Sequence, residues 1–444
     1  MINLYDFDDT LWSRNQDEIN LSIENIKLLN KLPDTYIVSG NSYKHIKEKI
    51  EIALGNINNC NINIIADANT NLYKNGKLIS SIENMSIINY ENIIKKIEEL
   101  GYSNKMTILY DINNEPINIK IKPLNNDERD FLYYELNDNV NKVVKAGKTT
   151  IDILNINNNK INIFNSFNID RNNCIYFGDE IKYGNDKDIA LLCKEYIEIN
   201  SIYKMNKILN RGKLIYGLII AAGNQTRFKT DIPKAIMPIN NTTLLDINIK
   251  SMSKYTDKIY VVCSYNNKDY FDNYNTIIIN SGKGCGDAVL KALENLSNDN
   301  DCYIKWGDSL HLDDIYNNMN INSKMIIPVR YEKSPYVQII ANKNNKIEKV
   351  LFSKYGENIT DGYHDLSIFY ANIGYLKRYL KEFADKILDK KTNLYIHKHN
   401  NELQFLDVFN ETEIECYVDI LDGINDYSFN TLEEFNKLFN EQTK

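Results

Sequence analysis

Short apolar runs that stop abruptly at small or acidic residues recur along the chain. Ile2 to Tyr5 leads into Asp6, Tyr36 to Val38 into Ser39 and Gly40, and Ile175 to Phe177 into Gly178 and Asp179. Leu214 to Ile220 ends in Ala221, Ala222 and Gly223, and Cys302 to Trp306 ends in Gly307 and Asp308. Runs of this kind suit strands covered on both faces. Lys258 to Cys263 and Thr276 to Ile279 read as strands too, and helical periods fall near Tyr90 to Leu100, Asp127 to Leu136, Ile202 to Leu209 and Leu244 to Tyr255. Alternating strands and helices predict an α/β protein with parallel sheets and ligands at the strands' carboxyl ends.

At 444 residues the chain exceeds one ordinary core, which predicts at least two domains. The polar, Gly-containing join at Asn210 to Lys213 places them at 1–210 and 211–444. A hydrophobic fraction of 43% beside 25% charged residues is globular, so Asn-rich stretches such as Asn155 to Asn159 reflect compositional bias rather than disorder. The net charge of -8 argues against a nucleic-acid partner. The 7 Cys show no paired C-x-x-C spacing, so neither a zinc site nor a disulfide framework is expected, and a cytoplasmic location fits. No run of ~18 apolar residues exists to span a membrane. The strand at Met1, ending in acidic residues, is unlike the apolar core of a signal peptide. Nothing in the pattern indicates an oligomeric state.

Asp6 and Asp8 project from one side of the first strand's end, because side chains alternate along an extended chain. Neighbouring carboxylates repel unless a cation neutralises them, and Mg2+, which prefers oxygen ligands, suits that role. The D-x-D-x-T pattern at Asp6, Asp8 and Thr10 resembles the first motif of the haloacid dehalogenase (HAD) superfamily of phosphotransferases. That resemblance implies that Asp6 attacks phosphorus and Asp8 serves as general acid and base. Ser39 and Gly40 match the second motif, so Thr10, Ser39 and Gly40 are the expected phosphate contacts. Lys160 is the best match for the third-motif lysine, with Lys145 and Lys148 as rivals. Gly178 and Asp179, followed by Asn185 and Asp186, resemble the fourth motif, which makes Asp6, Asp8, Asp179 and Asp186 the expected Mg2+ ligands.

The implied fold is a HAD-like Rossmannoid core with an α/β cap of the C2 type at about 82–148, as in phosphomannomutases and sugar phosphatases. The segment FGDEIKYGNDKDIA is similar to the phosphomannomutase version of motif four, but that enzyme's Arg-rich cap signature has no counterpart here. A phosphatase is therefore expected over a mutase.

In KLIYGLIIAAGNQTRFKTDIPKAIMPI, a strand closed by small residues lets backbone N–H groups approach an anion. Arg227 and Lys234 bring two cations to the same opening. A Walker A loop is excluded, since no Gly-Lys-Ser/Thr closes the turn. The stretch resembles the signature of the sugar-phosphate and phosphocholine nucleotidyltransferases, which implies a GT-A-like α/β domain. Its implied reaction joins an NTP to a small phosphorylated acceptor and releases pyrophosphate. Catalysis falls to Lys234 and Arg227, and nucleotide contacts to Ala221, Ala222, Gly223, Gly286 and Asp287. Asp308 is the implied Mg2+ ligand, its companion lying among Asp419, Asp422 and Asp426, of which Asp426 is carried forward. The Arg-Phe ending of the loop favours CTP.

Lys354, Glu357, His364 and Asp365 are candidates for holding the acceptor, and His397 and His399 read as a solvated loop. The resemblance further implies a role in surface glycan or lipid headgroup precursor synthesis. A phosphomutase paired with an NDP-sugar pyrophosphorylase, or one domain serving as a silent binding or regulatory module, are the competing expectations.

Overall fold

Met1–Gly212 and Lys213–Lys444 form two units, each with its own principal sheet. The computed structural model describes residues 1–67, 69–82, 87–110, 115–137, 140–146, 149–155, 160–179, 186–223, 232–280, 283–311, 314–397, 401–424, 426–429 and 431–440.

In the first unit β1 (Ile2–Tyr5), β2 (Thr35–Val38) and β3 (Asn63–Ala66) begin the core sheet, and β4 (Asn71–Lys74) and β5 (Lys77–Ser81) form a hairpin on its edge. The hairpin turns at Asn75 and Gly76, whose φ angles of 48 and 76° are those of a tight primed turn. A second sheet follows, made of β6 (Met106–Tyr110), β7 (Pro116–Ile121), β8 (Asn141–Ala146) and β9 (Thr150–Asn155). The chain then returns to the core through β10 (Cys174–Gly178) and β11 (Glu195–Glu198). The core order is β11-β10-β1-β2-β3-β4-β5, parallel as far as β3. Leu4, Ile37 and Ile65 are fully buried in it, and each such side chain contributes ~1.5–3 kcal/mol.

The second sheet, order β6-β7-β9-β8, is antiparallel throughout. Ile119, Ile121, Ile151 and Ile153 pack with Ile93 and Ile97 of helix Tyr90–Glu99 and Leu132 and Leu136 of helix Asn126–Leu136. This sheet runs past the expected cap limit at residue 148, because β9 pairs with both β7 and β8.

The second unit opens with β12 (Ile215–Ile220), the short pair β13 (Pro238–Ile239) and β14 (Thr242–Thr243), then β15 (Lys258–Ser264), β16 (Thr276–Ile279) and β17 (Asp301–Trp306). After β18 (Ser309–His311) come β19 (Met325–Glu332), β20 (Val337–Ala341), β21 (Ile347–Phe352), β22 (Gly362–Asp365) and β23 (Ile368–Asn372). Last are β24 (Leu388–Asp389), β25 (Leu394–Tyr395), β26 (Tyr417–Ile420) and β27 (Asp426–Ser428).

The main sheet runs β16-β15-β12-β17-β23-β19-β22-β20-β21, with β26 also paired to β19. β16, β15, β12 and β17 follow the parallel pattern expected from the sequence, and β26 pairs parallel with β19. From β19 to β23 the connections are too short for crossover helices, so those strands pair antiparallel and the sheet is mixed. Among the described residues no helix is long and apolar enough to cross a membrane.

Candidate functional site

The strand order β10-β1-β2 sets Asp179, Asp6 and Ser39 at one edge of the first unit's core sheet. The Asp6 amide donates to the Phe177 carbonyl at 2.8 Å, fixing the two strand ends in register. Lys160 is only 5% exposed, and its Nζ lies 2.5 Å from Asp186 Oδ1, 3.1 Å from Asp6 Oδ1 and 3.2 Å from the Tyr176 hydroxyl. Burial works against the Lys160 charge, but Asp186 and Asp6 outweigh it and raise the ammonium's pKa. Burial, with Asp186 next in weight, pushes the Asp6 carboxyl well above the ordinary range despite Lys160. Lys145 pairs instead with Asp130 on the second sheet's periphery, and Lys148 and Asn185 lie outside the described residues.

Asp6, Asp179 and Asp186 each present an oxygen within 4.8 Å of the others. Asp186 is 1% exposed, and its Oδ2 has no hydrogen-bond partner among the described residues. An all-oxygen donor set with a buried orphan atom fits a hard divalent cation.

Two expectations need correction here. Asp8 stands apart from this cluster: Asn41 Nδ2 donates to its Oδ2, and His45 Nε2 lies 4.0 Å from its Oδ1. It lines the adjoining cavity rather than the group of facing carboxylates. Thr10 is fully enclosed and off the cavity wall, because the turn after β1, with Leu11 and Trp12 amides bonded to the Phe7 carbonyl, carries it inward. Its hydroxyl cannot meet a phosphate there. Ser39 and Gly40 do line the cavity, whose volume is about 520 Å³.

In the second unit, β12 and β17 run side by side with Ile220 opposite Trp306, and the Gly307 amide donates to the Ile220 carbonyl at 3.0 Å. That pairing sets Asp308 beside Ala221, Ala222 and Gly223 in a cavity of about 770 Å³. Lys234 Nζ reaches Asp308 Oδ2 at 3.3 Å and the Phe429 carbonyl at 3.0 Å. Phe429 is delivered there by β27, which pairs with β18 directly after Asp308. Arg227 lies outside the described residues, as does the Asp426 side chain, whose backbone pairs opposite His311. Asp419 and Asp422 are off the cavity wall, and Asp419 Oδ2 accepts from the Asn320 amide at 2.7 Å.

Gly286 makes its close approach to the chain itself. Its amide donates to the Leu403 carbonyl at 2.8 Å, and a Cβ there would lie 2.8 Å from the same oxygen. Asp287 lines the cavity but is 2% exposed, and its Oδ1 accepts from the Tyr395 hydroxyl at 2.7 Å. Gly284 and Gly286, at the start of helix Cys285–Glu294, thus seat the 402–404 segment. Lys354, His364 and Asp365 share the cavity wall, whereas the Glu357 carboxylate accepts from the Phe352 amide at 2.6 Å. His397 is not in a solvated loop: its side chain is 4% exposed, 3.8 Å from Asp407 and 3.6 Å from Glu411, beside Phe383. His399 lies outside the described residues.

Sequence reasoning missed Lys305. It is 2% exposed, with Nζ 3.2 Å from Ser309 Oγ and 2.5 Å from His311 Nδ1. A lone lysine inside the apolar run CYIKW was the signal that marked it. His311 Nε2 lies 2.7 Å from the Leu366 carbonyl, so the ring is the neutral tautomer that donates to Leu366 and accepts from Lys305. Burial first, then the Lys305 charge, pull its pKa down to about 2.

Residues 217–316 match the family model of the MobA-like NTP transferase domain. Among curated proteins, the bifunctional protein GlmU of Buchnera aphidicola subsp. Schizaphis graminum is 26% identical over 227 residues, which are 46% of this chain and 48% of that protein. GlmU of Methanococcus aeolicus is 29% identical over 143 residues, 30% of this chain and 34% of that protein. The chain spans about half the length, or less, of the curated relatives it matches. A solved CTP:phosphocholine cytidylyltransferase from Streptococcus pneumoniae aligns over 52% of this chain and 100% of its own, with 15% identity and a TM-score of 0.41. The carboxyl-terminal half of this mixed α/β chain is thus similar to nucleotidyltransferase domains.

Proposed function

We propose that the chain is bifunctional, its second unit joining an NTP to a small phosphorylated acceptor and its first unit hydrolysing a small phosphate monoester. For the second unit the carrying observation is the meeting of Lys234 and Asp308 beside Ala221–Gly223, within or next to the segment matched by the family model. An acceptor phosphate oxygen attacks the α-phosphorus, the bond from that phosphorus to the bridging oxygen breaks, and pyrophosphate leaves with the electron pair. The protein positions the two reactants and offsets their charge. Lys234 faces the triphosphate, Arg227 is assigned to the same charge by the sequence resemblance alone, and Asp308 would hold Mg2+, which screens phosphate charge when bound. The Arg227-Phe228 ending of the loop favours CTP. Pyrophosphate release measured across the four NTPs, with sugar, polyol and choline phosphates as acceptors, tests this. Silence with every pair overturns it.

The first unit's reading rests on Lys160 bridging Asp6 and Asp186 beside Asp179. A carboxylate oxygen of Asp6 attacks phosphorus, the ester P–O bond breaks, and the departing oxygen takes a proton from Asp8. Water then attacks the aspartyl-phosphate, passing its proton to Asp8 and regenerating the Asp6 carboxylate with inorganic phosphate. Asp6, Asp179 and Asp186 would hold Mg2+, which when bound neutralises the phosphoryl oxygens. Crystals grown with beryllofluoride test the nucleophile, and an adduct on any other side chain overturns its assignment. The 7 cysteines, all unbridged, suit a reducing compartment.

A further inference from the structure

The antiparallel sheet of the first unit sorts its side chains by alternation. Ile119, Ile121, Ile151 and Ile153 meet the helices, so Lys120 and Asp152 between them face the other way. Lys120 and Asp152 are register partners across β7 and β9, and Thr107 stands opposite Lys120 on β6. These three residues line the same cavity as Asp6 and Asp8.

The row is polar yet enclosed, with Asp152 6% and Asn118 1% exposed. Lys120 Nζ lies 3.8 Å from Asp152 Oδ2 and 3.2 Å from Asn41 Oδ1, and Asn41 in turn holds Asp8. Asn118 Nδ2 reaches Asp152 Oδ2 at 3.5 Å. Asp152 Oδ1 has no hydrogen-bond partner among the described residues, nor has Asn118 Oδ1. A buried carboxylate oxygen without a donor is costly, and a ligand that brings the donor removes that cost.

We propose that this row is the leaving-group subsite of the first unit and selects a polyhydroxylated monoester, a sugar or polyol phosphate. A ligand hydroxyl donates to Asp152 Oδ1, and Lys120 donates to a ligand oxygen. A second anionic group on the ligand would be repelled by Asp152, and an apolar leaving group would bring no donor for Oδ1. The inference rests on the monoesterase reading of the Asp6 site.

The test is steady-state hydrolysis by the full chain, with Mg2+, of glucitol 6-phosphate and of p-nitrophenyl phosphate, whose leaving group carries no hydroxyl. For Asp152→Asn the ratio of the two kcat/KM values should fall about 10- to 100-fold in favour of the aryl ester. Lys120→Gln provides a second reading should Asp152→Asn fail to fold, as judged by its melting curve. An unchanged ratio, or an equal loss on both substrates, overturns the subsite. Hydrolysis of neither substrate by the native chain refutes the monoesterase reading instead, and calorimetry then decides the subsite. Glucitol 6-phosphate should bind about tenfold tighter than inorganic phosphate, a margin that Asp152→Asn removes; equal affinities overturn the proposal.

Discussion

The Lys305 ammonium lies 2.5 Å from Nδ1 of His311, beneath the strand end that presents Asp308. One is charged, so the other stays neutral. Unfolded, His311 takes up a proton near its ordinary pKa of 6.5; folded, it does so only near 2. Between those values the unfolded chain binds the extra proton, so acid favours unfolding. From pH 7 to pH 5 this residue should lower stability by ~2 kcal/mol, and His311→Asn should remove that component. Urea denaturation followed by Trp306 fluorescence in a Trp12→Phe background measures it. An equal pH dependence with and without His311 refutes the assignment.

Lys160→Met should abolish monoester hydrolysis. It should also destabilise the first unit by roughly 3–5 kcal/mol, since Asp6 and Asp186 lose a buried partner. Trp12 fluorescence in a Trp306→Phe background reports the loss, and added Mg2+ should recover part of it.

Lys234→Ala should lower nucleotidyl transfer by ~100-fold or more, as expected when one positioned cation is removed from developing phosphate charge. Monoester hydrolysis in the same sample supplies the control, because Lys234 and Asp308 belong to the second unit alone. Retained pyrophosphate release would exclude Lys234 from the chemistry.

Gly284 has φ of 100°, and a Cβ there would collide with the Leu403 carbonyl. Gly284→Ala should destabilise the second unit by ~1–3 kcal/mol and weaken nucleotide binding by displacing the 402–404 wall of the cavity. Thermal melting together with titration of CTP checks both effects.

The features most legible in sequence were those fixed by neighbouring residues. Strand ends at Asp6, Ser39, Asp179 and Asp308 were visible because an apolar run stops at a small or acidic residue, and each of those strands is present. The antiparallel half of the second unit's main sheet was not, since pairing direction between β17, β23 and β19 depends on how a distant segment returns. Side-chain direction was equally hidden. The turn after β1 buries Thr10 and parts Asp8 from Asp6, a three-dimensional outcome that D-x-D-x-T spacing alone does not encode. Gly284 and Gly286 signalled a close approach, but only the fold reveals that the approaching backbone is Leu403. Asp152 escaped notice for a similar reason, because its register partner Lys120 is remote in sequence.

The pairing of β27 with β18 means that Lys234 leans on a carbonyl almost two hundred positions downstream, at Phe429. During synthesis Lys234 emerges well before the strand that carries its brace. A nascent chain halted before that strand would therefore carry the whole nucleotide signature and lack the support that aims it. Premature termination should yield a protein that looks like a transferase on paper and idles in the tube.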